Sequence, residues 1–191
     1  MEKVLEHQEH AQHAAEHGNK LAALLVAVLA ACLAISEQQA KLSEIKVTAN
    51  SVLAADAWNQ YQGKSTRESL SRDLSLMLGA LDVPTDPAAA QKRAAVSARL
   101  SEDAERFRSD PKDGKEAIAK RAHEYEAIRD ESLERAHTFD KAAAALELGI
   151  VLATASAIIA SKLLIRIALG LGVVGAALAV AGIVNPEIVP F

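Results

Sequence analysis

The chain has 191 residues and a formal net charge of −4. That length suits one domain, or a small domain with membrane spans, and the acidic balance argues against the basic face of a nucleic-acid binder. Half of the residues are hydrophobic but only 3% are aromatic, a composition of Ala, Leu, Val and Ile that fits closely packed helices in a bundle or in lipid.

Residues 1–19 form a polar tail with His7, His10, His13 and His17. At 100° per residue His10, His13 and His17 fall on one arc with Glu6, and His13 and His17 have the spacing of a chelating pair. A single helix supplies all of these ligands, so they are weak metal candidates and the default is a pH-responsive polar tail. No cofactor is expected.

Residues 20–36 contain the first apolar stretch, Leu21 to Ile35. At roughly 22 Å it is the weakest of three membrane spans. Within it Leu29-Ala30-Ala31-Cys32 resembles a lipobox. The preceding segment is acidic and His-rich, with Lys20 the only nearby cation, whereas a signal peptide begins basic. Cys32 therefore reads as a small helical residue, and a lone cysteine makes no internal disulfide.

Residues 37–141 hold 17 Lys or Arg and 19 Asp or Glu, the near balance of a solvated helical surface. The first helix is expected to continue to about Leu81. Leu42, Ile45, Ala49 and Val52, then Leu70, Leu74, Met77 and Leu81, have the spacing of a helix-pair seam. Asp86 and Pro87 predict an N-cap followed by proline at the first helical position, opening a middle helix over 87–108. After a break at Ser109–Gly114, a third helix runs from Lys115 through Ile118, Ala122, Tyr125, Leu133, Ala136 and Phe139 into the second span. The two long helices are expected to form an antiparallel extramembrane stalk.

Residues 142–161 and 163–184 are the second and third spans, each about 30 Å long as a helix, joined by a basic turn with Lys162 and Arg166. Residues 185–191 form a C-terminal tail. Glu147 is the one charge of the second span and a candidate for an ion pathway, because intramembrane acids tend to be functional. The blander reading puts it near the headgroups beside Lys141. In the third span Ala168, Gly172 and Ala176, and Gly175 with Ala179, lie four apart, as in close helix packing in lipid, and this face is expected to pack on the second span or on a neighbouring subunit. Gly170 to Gly175 also matches G-x-G-x-x-G, and Gly63-Lys64-Ser65-Thr66 the end of a P-loop. Neither follows a strand, so neither predicts a nucleotide site.

The segment Asp56-Ala57-Trp58-Asn59-Gln60-Tyr61-Gln62-Gly63-Lys64-Ser65 resembles the D-x-W-x-x-Y-Q-x-K-S stretch of a bacterial membrane-protein family catalogued as a domain of unknown function. The His-rich start, the span after it, the run Phe139 to Ser156 and the Gly-rich last span extend the likeness over nearly the whole chain. The resemblance implies a three-span inner-membrane protein and no activity. Trp58, Tyr61, Gln62 and Ser65 share one helix face. Trp58 lies ~33 Å beyond Ser36 along a straight helix, too far for the lipid interface. This face is expected either to pack on the third helix or to serve as a contact for self-association or a partner.

The fold expected is thus all-α, with three transmembrane helices and an extramembrane antiparallel helical stalk. The function expected is non-enzymatic: a homo-oligomeric scaffold or regulator whose partners are the bilayer, other copies of itself and another membrane protein. The alternatives are an oligomeric channel or transporter with Glu147 near the pathway, and a pore-forming protein with a soluble state.

Overall fold

Four α-helices make up the regular structure of the described residues, and no strand occurs among them. The computed structural model describes the backbone of residues 2–159 and 161–184, and the side chains of residues 20–159 and 161–184. Helix α1 is Glu2–Ala80, α2 Pro87–Ser109, α3 Lys115–Ile159 and α4 Lys162–Val184. Three of them, α1, α3 and α4, are long and apolar enough to cross a membrane, which is consistent with a multi-pass membrane protein.

The breaks between helices have local causes. Just past the end of α1, Arg93 of α2 donates to the carbonyls of Leu81 and Asp82 at 3.1 and 2.8 Å, holding the turn between the two helices. Asp86 caps α2, its carboxylate accepting from the N–H groups of Ala88 and Ala89, with Pro87 at the first helical position. Asp110 accepts from the N–H groups of Lys112 and Asp113. These two bonds hold its carboxyl below the ordinary value. A Cβ on Gly114 would lie 2.5–2.9 Å from backbone atoms of Asp110 and Arg108, so this turn requires glycine.

The chain divides into two compact units. The terminal unit is Met1–Val47 with Asp130–Phe191. Its inner face is small: Ala22, Ser36, Ala40, Ala136, Ala142, Ala153, Ala168, Gly172 and Gly175 are buried, with Leu29, Phe139 and Leu146 as the larger members. Its outer face carries bulk instead, including Leu24, Val28, Val151, Leu163 and Val173. Small inside and aliphatic outside is the arrangement expected where lipid rather than water is the solvent.

The central unit is Thr48–Arg129. Ala57, Ile118 and Ala122 form its core, with Trp58, Tyr61 and Tyr125 packed on it. Glu68 is buried between Arg72, at 2.6 Å, and Lys115. Ser75 of α1 bonds the hydroxyls of Ser97 and Ser101 on α2, both at 2.9 Å.

The seam expected from apolar spacing is not the buried one. Leu42, Ile45, Ala49 and Val52 are exposed, as are Leu70, Leu74, Met77 and Leu81. The inward positions of α1 are Ala40, Ser43 and Val47 in the terminal unit and Asn50, Ala54, Ala57, Tyr61, Lys64, Glu68 and Ser75 in the central one. Up to Glu68 they keep the three–four spacing, and apart from Val47 and Tyr61 they are small or polar. Small side chains let helices approach closely, and the partner helix supplies the bulk through Ile118, Phe139 and Leu146. On α3, Ile118, Ala122, Ala136 and Phe139 face inward as expected, whereas Leu133 is exposed.

Candidate functional site

In the central unit the Trp58 face of α1 meets α3. The Trp58 indole N–H donates to Glu126 Oε1 at 2.9 Å. Glu126 Oε2 lies 2.9 Å from His123 Nδ1. The Trp58 ring stands edge-on to Tyr61 at 5.5 Å and to His123 at 5.1 Å. The indole hydrogen bond, followed by the one from His123, lowers the Glu126 pKa below its ordinary value. Of the four expected contact residues, Trp58 and Tyr61 are half-buried on this cluster, Ser65 is half-buried and Gln62 is exposed. Lys64 pairs with Asp113 and sits 5.6 Å from the centre of the Phe107 ring. Sequence spacing missed His123 and Glu126. The α1 backbone is helical throughout Gly63–Thr66, so its N–H groups are committed to the helix and form no phosphate loop.

In the terminal unit, α3 and α4 run antiparallel, and glycines on α4 take the closest approaches. A Cβ on Gly175 would lie 2.7 Å from Leu146 Cγ and 3.1 Å from the Ala142 carbonyl oxygen. One on Gly182 would meet the Phe139 ring at 3.1–3.3 Å. One on Gly149 would meet Leu29 at 3.2 Å and the Ala168 carbonyl oxygen at 3.3 Å, and one on Gly172 would meet Leu29 at 2.5 Å. Leu29, Gly149 and Gly172 therefore share one level, near the middle of α4.

Of the small residues singled out on the last span, Ala168, Gly172 and Gly175 are buried and Ala179 is half-buried. Ala176 is exposed and does not take part in the packing of α4 within one copy. Two steps of four residues turn 80° away from Ala168, whereas alternating steps of four and three stay on one side. That alternation runs 168, 172, 175, 179, 182 and brings in Gly182, which the sequence reading did not include.

Glu147 is exposed on the outside of this unit. It lies two residues from Gly149, so it is ~3 Å along the helix from the shared level. It also lies six residues, or ~9 Å, from Lys141 along α3. Near α4's far end, Gln39, Leu42, Ser43, Lys46, Arg135, Phe139, Gly182 and Ile183 line a cavity of about 280 Å³. No group of three or more His, Cys, Asp or Glu able to hold a metal occurs among the described residues. The His10, His13 and His17 side chains and the 185–191 tail lie outside them.

The described residues thus define an all-helical chain with three membrane-capable helices, a glycine-packed terminal unit and a charged central unit. Residues 18–185 match the family described as Domain of unknown function (DUF4337), and the chain belongs to that family. No curated protein and no solved structure matches it.

Proposed function

We propose that the protein is a non-enzymatic, multi-pass membrane scaffold or regulator that works as a homo-oligomer, in the inner membrane of a bacterium. One observation carries this reading. Leu70, Leu74 and Met77 on one stripe of α1, and Leu81 just past its end, are 58%, 41%, 65% and 61% exposed in the central unit. The central unit is densely charged, so lipid does not cover this stripe. Exposed aliphatic rows of this kind mark contact surfaces, and their three–four spacing suits a helix from another copy. The Trp58 face is less available for that role, because its ring is already packed on α3.

Native mass spectrometry of the protein in nanodiscs tests the reading. A defined oligomer that falls apart in the double variant Leu74→Glu, Met77→Glu supports it. A monomer at all concentrations, with both forms equally folded, removes it.

A second reading, an ion channel or transporter subunit, is favoured by Glu147. A carboxylate exposed in a single copy and close to the middle of the bundle would face acyl chains. That is costly, and a water-filled path between copies would relieve the cost.

A further inference from the structure

We infer that the cavity between residues 39–46 of α1, residues 135–139 of α3 and the end of α4 binds the phosphate headgroup of an anionic phospholipid. The inference rests on membrane insertion and not on self-association.

Depth is the first argument. Taking the level of Leu29, Gly149 and Gly172 as the bilayer midplane puts Gln39, Phe139 and Gly182 ten residues away, or ~15 Å, at the edge of the hydrocarbon core. Arg135 lies fourteen residues from Gly149, or ~21 Å, at headgroup depth. Lys46 lies ~25 Å out on the same side, within reach of that layer through its long side chain. The choice of midplane is supported by the charges. Lys20 and Lys162 bound one side of the apolar zone and Glu37 and Lys141 the other, with Leu29 near halfway.

Composition is the second argument. On that scale the deep end of the cavity is Phe139, Gly182, Ile183 and Gln39, mainly apolar, and the shallow end is Leu42, Ser43, Arg135 and Lys46, which brings both cations to headgroup depth. This polarity matches a glycerol backbone pointing inward and a phosphate pointing outward. A cavity of about 280 Å³ sits at the small end of ligand pockets, enough for a headgroup and too small for a whole lipid.

The third argument is the guanidinium itself. Arg135 Nη2 is 2.7 Å from Glu131 Oε1, and the Arg135 side chain, 37% exposed, lines the cavity. Guanidinium favours phosphate through paired N–H groups. Basic pockets between membrane helices are known to take anionic headgroups.

The test is lipid retention. The protein is extracted from nanodiscs of phosphatidylcholine with phosphatidylglycerol, delipidated in steps, and examined by native mass spectrometry. The expected result is one phosphatidylglycerol retained per chain. Retention should drop about tenfold in Arg135→Gln and in Arg135→Gln, Lys46→Gln, recover partly in Arg135→Lys, and stay at the starting level in Lys41→Gln, which alters an exposed cation outside the cavity. Excess inorganic phosphate should not displace the lipid. Equal loss in Lys41→Gln and Arg135→Gln would reduce the effect to surface charge and overturn the inference. So would displacement by inorganic phosphate, which would make this a soluble-phosphate site. Unchanged retention in every variant would overturn it as well. Recovery of the protein without detergent would instead end the membrane reading beneath it, a separate outcome.

Discussion

The most specific residue-level arrangement is the indole–carboxylate–imidazole contact of Trp58, Glu126 and His123. Trp58 stands out in the sequence because it is the only tryptophan. Its acceptor is 68 positions away, and no spacing rule connects residues so far apart. Only the pairing of α1 with α3 brings them together. The contact has a pH consequence. Glu126 is held below its ordinary value of 4.5, first by the Trp58 hydrogen bond and then by His123. A carboxylate with a lowered folded pKa adds stability at pH above its unfolded value, and that stability is lost as pH falls through the folded value. Trp58 fluorescence should therefore hold steady from neutral pH down to about 5 and change below about 4.5. In Glu126→Gln this acid step should be absent. An unchanged step in that variant would assign the transition to other carboxylates. Glu68 offers a second test. It is 3% exposed and holds two cations, Arg72 and Lys115. Glu68→Gln should cost about 2 kcal/mol, below the usual loss for a broken buried pair because Arg72 remains largely solvated. Urea unfolding of the reconstituted protein reads that difference.

At the scale of helices, boundaries were legible and faces were only partly so. The Asp86–Pro87 start and the glycine-bearing break before Lys115 are backbone chemistry, which is local and can be read from neighbours. Faces depend on which side meets a partner. Apolar content pointed to Leu42, Ile45 and Leu74, yet small and polar residues one position over, such as Ser43 and Ser75, turn inward. In lipid, or beside another copy, large aliphatic groups need not be inside, so hydrophobicity stops reporting burial. Residue size is the better guide, and it does point to Gly172 and Gly175 on α4. Glycines on one helix can then be separated by experiment. Gly175→Ala would press a methyl on Leu146 Cγ and on the Ala142 carbonyl, atoms that cannot swing away as a side-chain tip can. It should destabilise the bundle by about 1–3 kcal/mol. Gly170→Ala meets nothing within 4 Å and should be neutral or better, given the helix propensity of alanine. Thermal unfolding of the two variants in the same detergent makes the comparison, and equal losses would contradict the α3–α4 packing.

For the whole molecule, the sequence alone supports membrane-capable helices and an uncharacterised family, and assembly has to come from what a single copy leaves unsatisfied. Among the described residues, two such features of different chemistry bear on assembly. One is the aliphatic stripe at Leu70, Leu74, Met77 and Leu81; the other is Glu147, exposed near the middle of the terminal unit. They can be uncoupled, because one lies in each unit. If copies assemble through the stripe and Glu147 only faces a neighbouring subunit, Glu147→Gln should leave the oligomer mass unchanged. Its stability should hold or rise, because a neutral amide is cheaper to bury than a carboxylate. If Glu147 lines a conduction path, the same variant should keep its mass but lose or alter cation flux across liposomes, as a ring of carboxylates sets cation selectivity. Flux measured beside native mass spectrometry, on wild type and Glu147→Gln together, decides between them. An intact oligomer with no flux in either protein leaves the scaffold reading, whereas flux in wild type that fails in the variant makes the carboxylate part of a pore.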